Sequence, residues 1–117
     1  MSEHIEHFER KYSVIYEQSA QDDLNNIASF YAKTTKNIDV VMMVLERIEV
    51  ATNTLKTMPR RCKSVNFYTK GCEIRKLFVP KPPVIVYFEI LGECVYVLKI
   101  KHSRADQSKI ADLISSL

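Results

Sequence analysis

Two ammonium groups, an imidazole and a guanidinium crowd together near the end of this chain. They are Lys99, Lys101, His102 and Arg104, in the run YVLKIKHSRAD from Tyr96 to Asp106. An imidazole titrates near neutrality and can give or take a proton. The planar fork of Arg75, in the upstream run EIRKLFV, can clamp a phosphate. Arg104 and the lysines can add positive charge. Such a set could support acid–base chemistry at a phosphate ester, or it could dock an acidic surface.

Each residue also has a plainer use. If strand alternation holds, Tyr96, Leu98, Ile100 and His102 share one face, and Val95, Val97, Lys99 and Lys101 the other. A neutral imidazole on His102 could then cap the edge of a core through hydrogen bonds. Arg75 could be an ordinary sheet-surface arginine, and Tyr87 in VIVYFEI a packing residue. Arg60, Arg61 and Lys63 read as a solvated link, with Arg61 also a candidate contact. Arg104 and Asp106 are spaced for a local ion pair that would position the chain end.

The 117 residues suit a single domain spanning 1–117, with 46% apolar and 26% charged residues. A core of that size needs no disulfide or structural metal. Cys62, Cys72 and Cys94 are odd in number and lack CxxC spacing, so they read as free thiols rather than metal ligands. No apolar run approaches a membrane span and the charged N-terminus has no signal-like segment. The expectation is a cytoplasmic protein without membrane, metal or cofactor. The net charge of +3 is unevenly spread. Pro59 to Arg104 holds ten Lys/Arg against three Asp/Glu, a net of +7, and the remainder carries −4. A basic C-terminal half suits an acidic partner or a phosphate backbone.

The elements that would position these groups follow from periodicity. YSVIYE (Tyr12 to Glu17) alternates as a first strand. Ser19 and Asp22 resemble a capping box, with Asp22 and Asp23 in the first turn of a helix. Leu24, Ile27, Ala28 and Tyr31 give that helix its apolar stripe. KTTKN interrupts, and a second helix starts near Ile38 or Asp39 with Asn37 as its cap. Val41, Val44, Leu45, Ile48, Thr52 and Leu55 form its stripe, and Pro59 stops it. Three strands follow, Cys72 to Val79, Val84 to Ile90 and Cys94 to His102, joined by links short enough for an antiparallel meander. Ile110, Leu113, Ile114 and Leu117 line a short C-terminal helix over 107–117. The order is β–α–α–β–β–β–α, an α+β fold in two layers with a helical hairpin on a mainly antiparallel sheet.

This order resembles the RelE/ParE toxin superfamily of bacterial type II toxin–antitoxin modules. The likeness runs from YSVIYEQSAQDDLNNIASFYA through LERIEVATNTLKTMPRR to the meander, a core of about 11–106. It is most specific in the last third, where Arg75, Tyr87 and the ending VYVLKIKHSRAD are typical. The resemblance implies a small toxin held inactive by a cognate antitoxin. RelE-like members cut messenger RNA on the ribosome, whereas ParE-like members inhibit DNA gyrase.

In the ribonuclease reading, Arg75, His102 and Arg104 would be the catalytic set, supplying an acid or base and cations for the phosphorane. Some of those nucleases carry a tyrosine directly after the histidine or near the C-terminus. Here Ser103 follows His102, and no tyrosine occurs after Tyr96. No glutamate lies between Met58 and Gly71 either, where certain members place one. The HSRAD ending sits closer to the ParE side, and the expectation leans that way. Arg61, Lys76, Tyr87, Lys99 and Lys101 would then contact target or antitoxin. A purely antitoxin-binding member is a third reading. The C-terminal stripe could cover the sheet, compete with antitoxin, or pair two copies as a homodimer.

Overall fold

The computed structural model describes residues 11–69, 72–104 and Ile114, with side chains described except at 66–69 and 72. Strand β1 (Ser13–Tyr16) leads into helices α1 (Gln18–Thr35) and α2 (Ile38–Asn53). Two 3-10 turns, Thr54–Lys56 and Pro59–Arg61, connect to β2 (Ser64–Thr69), β3 (Cys72–Pro80), β4 (Pro83–Leu91) and β5 (Cys94–His102). The expected α+β fold is present, a helical hairpin on one mixed sheet. Its strand order is β1-β5-β4-β3-β2. β1 runs parallel to β5, and the other neighbours are antiparallel.

Local chemistry explains the hairpin. Lys36 ends α1 in the left-handed region (φ 53) and returns its N–H to the Ala32 carbonyl at 3.0 Å. Asn37 then caps α2, its side chain accepting from the Asp39 N–H at 2.9 Å. The buried stripe Val41, Val44, Ile48 and Thr52 faces the sheet, with Leu55 continuing it into the first 3-10 turn. The other end of α1 departs from expectation. Its N-cap is Glu17, with no side-chain cap, because the Glu17 N–H is bonded to the Val97 carbonyl at 2.9 Å and the chain turns off the sheet there. Ser19, Asp22 and Asp23 therefore lie inside the helix. Asp22 accepts from Gln18 Nε2, and Asp23 turns inward.

Strand β2 is an element the periodicity did not announce. SVNFYT is short and pairs on one side only, with a register shift between Ser64 and Tyr68, so little of an alternating pattern marks it. The meander is as expected, with a Lys81–Pro82 turn carrying a cis X–Pro bond and a Gly92–Glu93 turn. Gly92 adopts φ +60, the conformation a side chain disfavours.

Simple alternation fails in β5. Tyr87 pairs with Lys99 but Phe88 pairs with Val97, so Leu98 is an extra residue, a β-bulge. Val97 and Ile100 consequently both join the core under the hairpin, with Ile48, Val84 and Val86. Leu98 and Tyr96 fall on the opposite face with Ile74, Ile85 and Tyr87. The row Tyr96, Leu98, Ile100 expected on one face is thus split. β4, buried on both faces, is the central plank. Ile114, fully buried, packs on the second face. The rest of the expected C-terminal helix, including Ile110, Leu113 and Leu117, lies outside the described residues.

β1 ends at Tyr16, opposite Val97, and on that edge the next five residues of β5 have no strand beside them among the described residues. Asp23 closes that gap. Its Oδ2 accepts the Ile100 N–H at 2.9 Å, and its Oδ1 lies 2.9 Å from Lys101 Nζ and 3.4 Å from Lys99 Nζ. Lys99 Nζ also donates to Ser19 Oγ at 2.6 Å. The carboxylate is 3% exposed, so removing it leaves the Ile100 N–H without its acceptor and the buried Lys99 ammonium without its counter-charge. Asp23→Ala is expected to cost about 3 kcal/mol in urea unfolding. Asp23→Asn, which keeps an acceptor for Ile100, should lose less. Equal stability of both variants and wild type would remove this account of the sheet edge.

Candidate functional site

The basic end of β5 borders a groove of about 220 Å³ between α1 and the strand, lined by Ile27, Phe30, Tyr31, Ile100, Lys101 and His102 among others. His102 is exposed, and its ring meets Phe30 edge-on at 6.3 Å. Phe30 in turn meets Tyr31 edge-on at 5.2 Å and stays 53% exposed. No hydrogen bond ties the imidazole to another described residue. A histidine acting as base or acid is ordinarily oriented by a third group, and among the described residues the imidazole meets the ring of Phe30 instead. Lys101 points its charge at Asp23 rather than into open space.

Arg75 is elsewhere. It pairs with Phe88 on β4, while His102 pairs with Val84, four residues along. That offset is about 13 Å along the strand, with two strand spacings of about 4.8 Å across. The Arg75 guanidinium donates from one nitrogen to the Cys62 carbonyl at 2.6 Å and the Arg60 carbonyl at 3.2 Å. Its other terminal nitrogen faces Glu73 at 3.3 Å. The fork that could hold a phosphate is filled by backbone. Arg104 is exposed on the turn after β5, and its expected partner Asp106 lies outside the described residues.

The remaining candidates divide in the same way. Arg61 curls back so that Nη1 reaches the carbonyls of Thr57 (3.0 Å), Met58 (3.1 Å) and Thr54 (3.4 Å), while Nη2 donates to Thr54 Oγ1 at 2.8 Å. Lys99 is buried against Asp23 and Ser19. Tyr87 is fully buried beneath Ile114. Lys76 is exposed on the same sheet face, next to Phe78, itself 57% exposed. The structure brings Lys99 and Lys101 together and sets His102 beside them, but separates all three from Arg75.

Sequence reasoning passed over Asp23 and assigned it to a helix dipole. A signal was available: Ala20, Asp23 and Ile27 follow the spacing of a buried helical stripe, and all three are buried. An acid on an apolar stripe needs a cation, and Lys99 and Lys101 were the surplus. The inward use of Arg61 and Arg75 left no comparable trace, because it depends on carbonyls brought near by the fold.

Neither the thiols nor the acids assemble a metal or nucleophile centre among the described residues. Burial pushes the Cys62 thiol above its ordinary value, although Arg61 and Arg75 pull the other way, so thiolate is scarce there at neutral pH. Arg75→Ala should cost about 2 kcal/mol in thermal or urea unfolding, with Arg75→Lys recovering only part, since an ammonium cannot reproduce the fork. The same Arg75→Ala change also removes a cation that favours the Cys62 thiolate, so alkylation of Cys62 by iodoacetamide in the folded protein should slow. A stable Arg75→Ala variant with an unchanged alkylation rate would contradict the clamp.

The comparisons with known proteins agree with this architecture. A family model for the ParE toxin of the type II toxin–antitoxin system parDE matches residues 14–107. A solved structure of the chromosomal ParDE toxin–antitoxin system from P. aeruginosa superposes with a TM-score of 0.67 at 17% identity, covering 80% of this chain and 97% of that one. Comparison with curated protein sequences gives no significant match. At 17% identity the superposition speaks for the fold, and the matched span carries the family. Over residues 14–107, most of its length, this chain belongs to the ParE toxin family of type II toxin–antitoxin systems.

Proposed function

We propose that this toxin arrests growth by binding DNA gyrase, is neutralised by its cognate antitoxin, and does not cleave RNA. The observation that carries this reading is the occupied guanidinium of Arg75. Bonded to the Arg60 and Cys62 carbonyls and paired with Glu73, it has little left to offer a phosphate. His102 stands at the other end of the sheet beside Phe30, with no hydroxyl or carboxylate of a described residue bonded to its ring. Phosphodiester cleavage needs acid, base and cations converging on one phosphate, and this placement supports binding over catalysis. Inhibition by binding asks only for a complementary surface. The reading puts the protein to work in the cytoplasm, with gyrase and DNA, and no helix among the described residues is long and apolar enough to cross a membrane.

The test is growth arrest on induction, relief by co-expressed antitoxin, and inhibition of gyrase supercoiling by purified toxin. His102→Ala, exposed and so expected to fold, should retain supercoiling inhibition to within about twofold. Messenger cleavage in translating ribosomes that disappears in His102→Ala, with supercoiling untouched by wild type, would overturn the proposal in favour of the ribonuclease reading.

A further inference from the structure

The segment from Thr54 to Lys63, between α2 and β2, is a loop that the protein goes to some length to fix. Arg61 holds three of its carbonyls and the Thr54 hydroxyl. Arg75 holds two more carbonyls from below. Tyr12 N–H donates to the Lys56 carbonyl at 2.8 Å, and Lys11 bridges to Thr57. Leu55, Pro59 and Cys62 anchor it in the interior. With that much anchoring the loop could have hidden its apolar tip, yet Met58 stands 69% exposed at φ 49. A non-glycine residue in the left-handed region carries strain, and such outliers gather where a surface is shaped for contact.

Every charged residue from Thr54 to Lys63, and Lys11 bridged to it, is positive. Lys11, Lys56, Arg60 and Lys63 are all exposed, and no ion pair joins any of them to a described residue. Glu73, the acid that Arg75 links to this network, is already paired with that arginine. Arg75 and the exposed Arg61 are both engaged by carbonyls of the loop, while the remaining cations are exposed on a loop that carries a thioether. We infer that this loop is a docking surface for an acidic segment of a protein partner, the cognate antitoxin, with Met58 received by an apolar side chain among the acids. The inference rests on the reading that the chain has such an antitoxin. A protein segment is favoured over a phosphate backbone because an exposed, strained apolar tip gains from desolvation by apolar groups. A rigid loop also binds without an ordering cost.

The experiment measures affinity of the purified full-length toxin for its antitoxin as a function of salt. The triple variant Lys56→Glu/Arg60→Glu/Lys63→Glu should bind at least 30-fold more weakly at low salt, with a flatter salt dependence, since surface charges act within a Debye length. Met58→Ala should weaken binding several-fold at every salt concentration. Lys33→Glu, a charge reversal at the far end of α1, should leave affinity unchanged, and circular dichroism checks that each variant is folded. A wild-type complex whose affinity ignores both loop variants overturns this inference while leaving the toxin–antitoxin reading intact. Failure of the wild-type toxin to bind antitoxin at all overturns both. A 20-base-pair duplex that binds wild type and is released by the triple variant, with antitoxin affinity unmoved, overturns it in favour of nucleic acid.

Discussion

The buried carboxylate of Asp23 is the contact on which the arrangement of both layers turns. A sheet edge left without a neighbour exposes backbone groups that must be satisfied. β1 covers only the first part of β5, because the chain leaves the sheet after Tyr16 to begin α1. Asp23 supplies from the helix what a longer β1 would have supplied from a strand, an acceptor for the Ile100 N–H. In doing so it brings a negative charge into the interior, and Lys99 and Lys101 come round the edge to meet it. Helix position, strand bulge and lysine placement are therefore one solution to one problem.

That solution changes the meaning of the basic strand end. Two of its cations are structural counter-ions, and their shared carboxylate holds α1 on β5. The Phe30–His102 contact closes the same groove with an aromatic edge. Farther along the sheet Arg61 and Arg75 are consumed in the same sense, by carbonyls of the loop they support. Burial of charge is tolerated at Asp23 and Lys99 because hydrogen bonds and the ion pair compensate it, while Arg61 makes its bonds from an exposed position. Cations that remain exposed and unengaged mark the surfaces available to a partner.

The sheet is covered unequally on its two faces, which bears on how such a partner would meet it. The hairpin seals one face with Ala20, Ile27, Val44 and Ile48. On the other, Ile114 sits over Tyr87, Ile85 and Leu98, while Phe78 stays largely exposed. Of the groups best fitted for chemistry, Arg75 is committed to the loop carbonyls, whereas His102 and Arg104 stay exposed.

Much of the fold was legible from local patterns. Stripes at helical spacing placed α1 and α2, Asn37 announced its cap, and alternation with short links gave the β3–β5 meander, because these features depend on neighbours in sequence. What local pattern could not decide were relations across the chain. The bulge at Leu98 split a row that alternation had kept together, since register is set by the partner strand. Asp23 looked like a helix-dipole residue until an unpaired strand edge 77 residues away claimed it. Arg75 offered a fork for phosphate until the fold delivered two carbonyls to it. The sequence determined which charged and aromatic groups this toxin possesses; tertiary structure alone decided which face inward and which are left for a partner, because burial and hydrogen bonding are settled between segments distant in the chain.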